Sequence, residues 1–330
     1  MTKIDLIKEL MNPSVYDEKV DYVKLLQTHI SWVFLTGNFA YKIKKPVDFE
    51  FLDFTTLEKR KFFCEEEIRV NRRLCPGLYL KVVPITRSEE GIRVDGKGKV
   101  IEYAVKMKEL PQERMMDKLL ERNEIDEENI DEIARILAEF HEKAATGKGI
   151  DNYGSISVIK KNWNQNFNQT ISLRENLIKK EIFDEIENKV NDFIKEHSKL
   201  FKKRIKDQRI RECHGDVHSG NIFVVDGKVY IFDAIEFNKA FSCSDVAAEI
   251  AFLAMDLDFH NRRDLSKFFV ERYVEYSKDE EILKLLNFYK CYRAYVRAKV
   301  ISFRLNEEGK TAEKLCKRYF DLALEYARNF

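Results

Sequence analysis

Nearly every strand signal in this 330-residue chain falls before Pro111, and nearly every long helical signal falls after it. Residues 30–36 and 39–45 are β-rich runs separated by Gly37-Asn38, a hairpin signal, and Lys45-Pro46 ends the second run. Helical spacing with dense charge occupies 56–74 until Pro76-Gly77 stops it, and strand-like runs at 78–85 and 100–107 enclose a turn-rich passage over 87–99. A further helical pattern covers 5–27. Beyond Lys108-Glu109-Leu110-Pro111 the spacing predicts amphipathic helices over 129–144, 170–204, 262–276 and 280–306, with one further β element. The expected organisation is an N-terminal α+β part, residues 1–108, and a larger, mainly helical part, residues 109–330.

Composition narrows the partners. The 58 basic and 57 acidic side chains nearly cancel, so no global field advertises nucleic acid or an anionic membrane. No stretch has the apolar length of a membrane span, and MTKIDLIKEL does not read as a leader, so a cytoplasmic protein is expected. Cys64, Cys75, Cys213, Cys243, Cys291 and Cys316 form no C-x-x-C pair, which argues for reduced packing residues over a zinc ribbon or a disulfide scaffold.

Chemistry concentrates in Cys213-His214-Gly215-Asp216-Val217-His218-Ser219-Gly220-Asn221, followed by a strand, the turn Asp226-Gly227, and a second strand ending at Asp233. A tight hairpin there is expected to return Asp233 to the loop that carries Asp216 and Asn221. Phosphoryl transfer needs a group that takes or orients the acceptor hydroxyl's proton, which suits Asp216. It also needs hard oxygen ligands for Mg²⁺, which suits Asn221 and Asp233. H-G-D-x-H-x-x-N with a downstream Asp resembles the aminoglycoside phosphotransferase and choline kinase branch of the protein-kinase-like superfamily. Phe232-Asp233-Ala234-Ile235-Glu236-Phe237 is most similar to a bacterial and archaeal subgroup of uncharacterised kinases, sometimes fused to a P-loop ATPase, although no G-x-x-x-x-G-K-[ST] occurs here. The resemblance implies a two-lobed kinase-like fold. It also implies a catalytic aspartate at Asp216, magnesium ligands at Asn221 and Asp233, and ATP or GTP as co-substrate.

The same resemblance asks for a phosphate-pairing lysine on a central strand and a glutamate on the next helix. Phe39-Ala40-Tyr41-Lys42 matches the family's V-A-I-K pattern, with Ala40 over the adenine and Lys42 as the lysine; Lys44 shares its strand face and stays an alternative. Glu67, two helical turns before Leu74, is the matching glutamate. No glycine-rich loop precedes residue 30, so Thr28 or Ser31 is expected to meet the phosphates instead. The backbone of Lys108 to Leu110 reads as the adenine-binding hinge. His218 lies where protein kinases place a lysine on the transferred phosphate, and as an imidazole it would give activity a titrating limb.

The acceptor is expected to be a small molecule, neutral or anionic. Arg293 and Arg297 share a helix face in a stretch, 288–305, that holds no acid, and a solvated or ion-paired basic face is the first account of them; the functional alternative is an acceptor pocket for an anion, since arginine presents a planar fork to phosphate or carboxylate. Two rival readings accompany the kinase. One is a metal-dependent phosphohydrolase using His214, Asp216 and His218; the other is a nucleotide-binding pseudokinase. Oligomeric state is not legible.

Overall fold

The computed structural model describes residues 3–175 and 177–330, with no account of the side chains of residues 3–5. The chain divides into two units, one comprising residues 1–114 with 230–239, the other 115–229 with 240–330.

The first unit is built on an antiparallel six-stranded sheet with strand order β1-β2-β3-β8-β6-β7. In chain order it has α1 (Lys3–Leu10), β1 (Lys24–Gln27), β2 (Ser31–Leu35), β3 (Phe39–Lys44), the short hairpin β4 (Asp48–Phe49) and β5 (Leu52–Asp53), and α2 (Leu57–Asn71). The strands β6 (Tyr79–Ser88), β7 (Gly91–Val94) and β8 (Lys99–Lys108) follow. The β2–β3 hairpin turns at Gly37, whose φ of +95° a side chain would strain, and the Thr36 hydroxyl locks the turn by donating to Phe39 O at 2.9 Å. Alternation then sorts β3. Tyr41 and Ile43 join Trp32, Phe34, Val83 and Ile85 in a core that Leu6 and Leu10 of α1 help to close. Ala40 points to the opposite face, into a cluster with Cys64 and Ile68 of α2. Lys42 and Lys44 therefore face α2.

The helix expected over 5–27 ends at Leu10. Asn12 accepts the Ser14 N–H and starts a single 3₁₀ turn at Pro13, and residues 24–27 pair instead with β2 as an edge strand. The apolar residues Val20 and Val23, from the irregular segment before β1, and Leu25 within it still reach the core.

The second unit contains α3 (Met116–Glu121), α4 (Glu127–Lys143), α5 (Ile156–Gln169), α6 (Lys180–Glu196), α7 (Ser198–Lys206) and β9 (Ile210–Glu212). Next come β10 (Ile222–Val225) and β11 (Lys228–Ile231), a hairpin along which the chain passes into the first unit. It returns through α8 (Lys239–Ser242) to β12 (Cys243–Asp245), α9 (Val246–Phe259), α10 (Arg263–Ser277), α11 (Ile282–Ser302), α12 (Leu305–Glu308) and α13 (Lys310–Ala327). Helix α9 is buried from Val246 to Asp258 and is the axis of this unit. Asp245 caps it, accepting the Ala247 N–H at 2.9 Å, as its place before an apolar helix implies.

The single helix expected over 170–204 is instead two helices preceded by an irregular segment. The Thr170 hydroxyl bonds Asn166 O at 2.9 Å and lies 2.6 Å from the Tyr295 hydroxyl, which closes α5, and a break at His197 separates α6 from α7. Strands β9 and β12 add a pairing beyond the one β element expected there. All six cysteines are buried and free. Among the described residues no helix is long and apolar enough to cross a membrane.

Candidate active site

The loop from Cys213 to Asn221 is held from several sides within the second unit. It leaves β9, which pairs with β12, and the Cys213 N–H bonds Ser242 O at 2.8 Å. Gly215 then takes φ +92°, a conformation open to glycine. Its N–H donates to Glu249 Oε1 at 2.6 Å, and its carbonyl accepts from the Arg293 guanidinium at 3.2 Å. Glu249 is the middle of a buried relay: its other oxygen lies 2.6 Å from His141 Nε2, and His141 Nδ1 lies 2.7 Å from the Tyr273 hydroxyl. Arg293 also donates to Ala248 O at 3.0 Å and stacks over the Phe252 ring. Further along, the Ser219 N–H donates to the buried Asp256 carboxylate at 2.8 Å. A backbone gripped at Gly215 and Ser219 fixes the side chain between them.

That side chain is Asp216, 39% exposed. Asn221 Nδ2 donates to both its carbonyl and its Oδ2 at 2.9 Å, and His218 Nε2 lies 3.6 Å from the same Oδ2. His218 Nδ1 accepts the Gly220 N–H at 3.1 Å, so its proton sits on Nε2, toward Asp216. Burial opposes the Asp216 charge, but His218, His214 and Arg297 outweigh it and hold the carboxyl well below the usual range. The result is an ionised, oriented acceptor of hydrogen bonds. With the amide nitrogen of Asn221 committed to Asp216, its oxygen is the atom left for a cation.

The first unit carries the second cluster. Lys42 Nζ lies 2.8 Å from Glu67 Oε1 and 2.5 Å from Asp233 Oδ1. Lys44 Nζ lies 2.8 Å from Glu67 Oε2 and pairs on its other side with Glu236. The charges alternate in the order Asp233, Lys42, Glu67, Lys44, Glu236. Burial works against the Lys42 charge, yet Asp233 and Glu67 hold its pKa well above that of an ordinary lysine. Lys44 is raised likewise against burial, by Glu236 and Glu67. Glu67, fully buried, is pulled down by the two lysines, whereas burial pushes Glu236 up despite Lys44. Asp233 is the exposed end, at 43% of its side chain. It sits at φ +66°, in the left-handed region, where an L-residue pays about 1 kcal/mol. Two bonds hold the backbone there: Asp233 N–H to the Tyr79 hydroxyl at 3.1 Å, and Ala234 N–H to Asn71 Oδ1 at 2.8 Å.

The remaining expected residues fall as follows. Ala40 and Leu110 belong to one cluster with Met107, Tyr230 and Phe232. The Lys108 N–H is committed to Leu78 O at 3.0 Å, and the Leu110 carbonyl accepts from the Gln112 side chain at 3.2 Å. Thr28 Oγ1 caps its own turn by accepting the Ser31 N–H at 2.9 Å, while the Ser31 hydroxyl is buried without a hydrogen-bond partner among the described residues. Arg293 lies beneath the loop, and Arg297 is half-buried beside Tyr319. His214 is buried, with Nδ1 accepting the Asp216 N–H at 3.2 Å. Among the described residues the ligand-type atoms that converge are those of His141, Cys213 and Glu249, not those of His214, Asp216 and His218.

No family model matches the chain. Uncharacterised proteins of Mycobacterium bovis and Mycobacterium tuberculosis are 30% identical to it over 308 residues, which is 93% of this chain and 60% of each of theirs. The chain thus spans about three fifths of the length of the curated relatives it matches. Among solved structures, the GDP complex of aminoglycoside 2'-phosphotransferase-IIIa superposes with a TM-score of 0.56 at 12% identity, covering 100% of this chain and 99% of that one. A choline kinase from Cryptosporidium parvum gives 0.56 at 11% identity over 93% and 89% of the two chains. A choline/ethanolamine kinase family protein from Mesorhizobium loti gives 0.56 at 11% over 99% of each. The fold is protein-kinase-like. The α+β, two-lobed kinase-like architecture expected from the sequence is therefore the one found.

Several residues of these clusters were not anticipated. Glu236 looked like part of a family signature, yet it buries a carboxylate against Lys44. Glu249 and its partners His141 and Tyr273 were overlooked, although a lone acid inside Val-Ala-Ala-Glu-Ile-Ala-Phe-Leu-Ala is itself a signal. A charge there has to be paired when the helix is buried.

Proposed function

We propose that this chain is a Mg²⁺-dependent phosphotransferase that moves the γ-phosphate of ATP or GTP to a hydroxyl of a small molecule. The observation that carries this reading is Lys42, a single ammonium shared between buried Glu67 and half-exposed Asp233. A lysine held charged by one buried acid and one exposed acid is poised to exchange the exposed partner for a nucleotide phosphate. Lys42 is thereby favoured over Lys44, which is 1% exposed and enclosed by two buried acids.

The donor set fits magnesium. Each unit holds a donor of the hard oxygen type that magnesium prefers: Asp233 an exposed carboxylate in the first, Asn221 an amide oxygen in the second. When bound, the ion neutralises charge on the triphosphate. Asp216 accepts the hydrogen bond of the acceptor hydroxyl and takes its proton as the phosphoryl group leaves, while Asn221 keeps the carboxylate turned. His218, with its proton on Nε2, donates to the transferred group. Ala40, Leu110 and Phe232 supply the apolar surface for a base, and Ser31 a hydroxyl for phosphate. The kinship in fold with aminoglycoside and choline kinases supports this chemistry without naming the acceptor.

Thermal unfolding with nucleotide and metal added singly and together tests the reading. ATP or GTP with Mg²⁺ should raise the melting temperature where neither does alone, and Asp233→Asn should abolish the gain. Stabilisation by zinc without nucleotide, or no response to any nucleotide, would refute it.

A further inference from the structure

We infer that the acceptor alcohol carries an oxyanion, a phosphate or a carboxylate, and that Arg297 binds it. The inference rests on the phosphotransferase reading and supplies its substrate class.

The basic residues of α11 have separate fates. Lys290 is neutralised by Asp258 at 2.8 Å and also donates to the Ser266 hydroxyl. Arg293 spends its donors on Gly215 O and Ala248 O. Lys299 donates to Asn166 and Gln169, on another side of the helix. Arg297, one turn past Arg293, is different. Its Nε is sealed from water and makes no hydrogen bond among the described residues. Its neighbours are Tyr319, which its guanidinium hydrogen-bonds and whose ring centroid lies 5.6 Å away, and the carboxylates of Asp256 and Asp216, whose fields support its charge; the Nε alone is left over. A buried guanidinium donor left unmet is costly, and a planar fork is met best by two oxygens of one anion.

The acids near Asp216 point the same way. A cationic acceptor such as an amine needs an uncommitted carboxylate beside the reacting hydroxyl. Glu249 is taken by His141 and Gly215, Asp245 by Arg204, Asp258 by Lys290 and Tyr326, and Asp256 by the Ser219 N–H. Asp216 itself is flanked by His214, His218 and Arg297. An ammonium placed there meets the Arg297 charge; an oxyanion meets a guanidinium whose Nε still lacks an acceptor.

Inorganic phosphate and malonate serve as probes, titrated calorimetrically into the whole chain with the triphosphate site filled by Mg²⁺ and a non-hydrolysable ATP analogue. Wild type should bind at least one of the two, and Arg297→Gln should bind it at least about tenfold more weakly, the scale of one lost charge-assisted bidentate contact. Arg297→Lys keeps the charge without the fork and should fall between them; it replaces the glutamine variant if that one does not fold. Binding that is absent from wild type or equal in wild type and variant overturns the inference, as does binding of choline or spermidine in place of the anions. Failure of the kinase reading would show separately, as no uptake of the Mg²⁺-nucleotide analogue. The anion titration without nucleotide then still compares Arg297 with its variants.

Discussion

Replacing Glu249 by glutamine separates the charge of the relay from its shape. In wild type the carboxylate accepts the Gly215 N–H and meets His141, both at 2.6 Å, with no exposure to water. Burial alone would raise its pKa, but His141, His214 and Gly215 more than compensate and bring the carboxyl from 4.5 down to about 2. That difference corresponds to about 3 kcal/mol of folding stability at neutral pH. Glutamine keeps an oxygen for Gly215 and loses the charge, so Glu249→Gln should cost about 2–3 kcal/mol at pH 7. The sign of the pH dependence follows from a depressed acid: the contribution is complete above the unfolded pKa and drains away as pH falls toward the folded one. The gap between wild type and variant should therefore shrink to under about half by pH 3. Urea unfolding at pH 7, 5, 4 and 3 reads it directly. A gap below about 1 kcal/mol at pH 7, or one that stays constant to pH 3, would refute the reasoning. Glu249→Ala should cost more, about 3–5 kcal/mol, because it strands His141 and the Gly215 N–H in a buried site.

Arg204, 1% exposed, bonds Asp245 at 2.6 and 2.9 Å and Asp279 at 2.6 and 2.8 Å, so Arg204→Met strips buried Asp245 of its arginine and leaves buried Asp279 with the longer contact to Arg209 at 3.4 Å. Chemical denaturation should show a loss of about 3–5 kcal/mol, and adding Asp245→Asn and Asp279→Asn should recover part of it. The two lysines of β3 should separate by effect: Lys42→Met lowers turnover at least about a hundredfold with a modest change in melting temperature, since Glu67 keeps Lys44. Lys44→Met, leaving Glu67 and Glu236 close together and buried, should cost about 3–5 kcal/mol in denaturation. Equal effects of the two variants on both readouts would remove the distinction.

What the sequence disclosed and what it withheld have physical causes. The strands of the first unit carry two-residue alternation bounded by Gly37-Asn38 and Pro76-Gly77, signals that local sterics enforce, so β2, β3, β6 and β8 lie where expected within a few residues. Residues 5–27 misled because apolar side chains at mixed spacing serve a helix or an edge strand, and tertiary pairing with β2 decided for the strand. The break at Thr170 depends on a hydroxyl that reaches Tyr295, 125 residues away, which no local pattern contains. Helix α13 was legible and overlooked: Ala312, Cys316, Tyr319, Phe320 and Ala323 keep helical spacing and are all buried. The candidate site followed the same division. Asp216, Asn221 and Asp233 stood out by type and spacing, whereas the Glu249 relay joins α4, α9 and α10, so its partners are neighbours only in the folded chain.

The central claim is that Asp216 delivers an acceptor hydroxyl to a nucleotide's terminal phosphate. Its most direct test follows γ-labelled ATP and GTP incubated with Mg²⁺, a metabolite extract and either wild type or Asp216→Asn. The account predicts label in a small phosphorylated compound with wild type. With the variant, which removes the proton acceptor, transfer should be slower by about 10²–10⁴-fold while nucleotide binding is retained. Equal labelling by both proteins, or label released only as free phosphate, would contradict it.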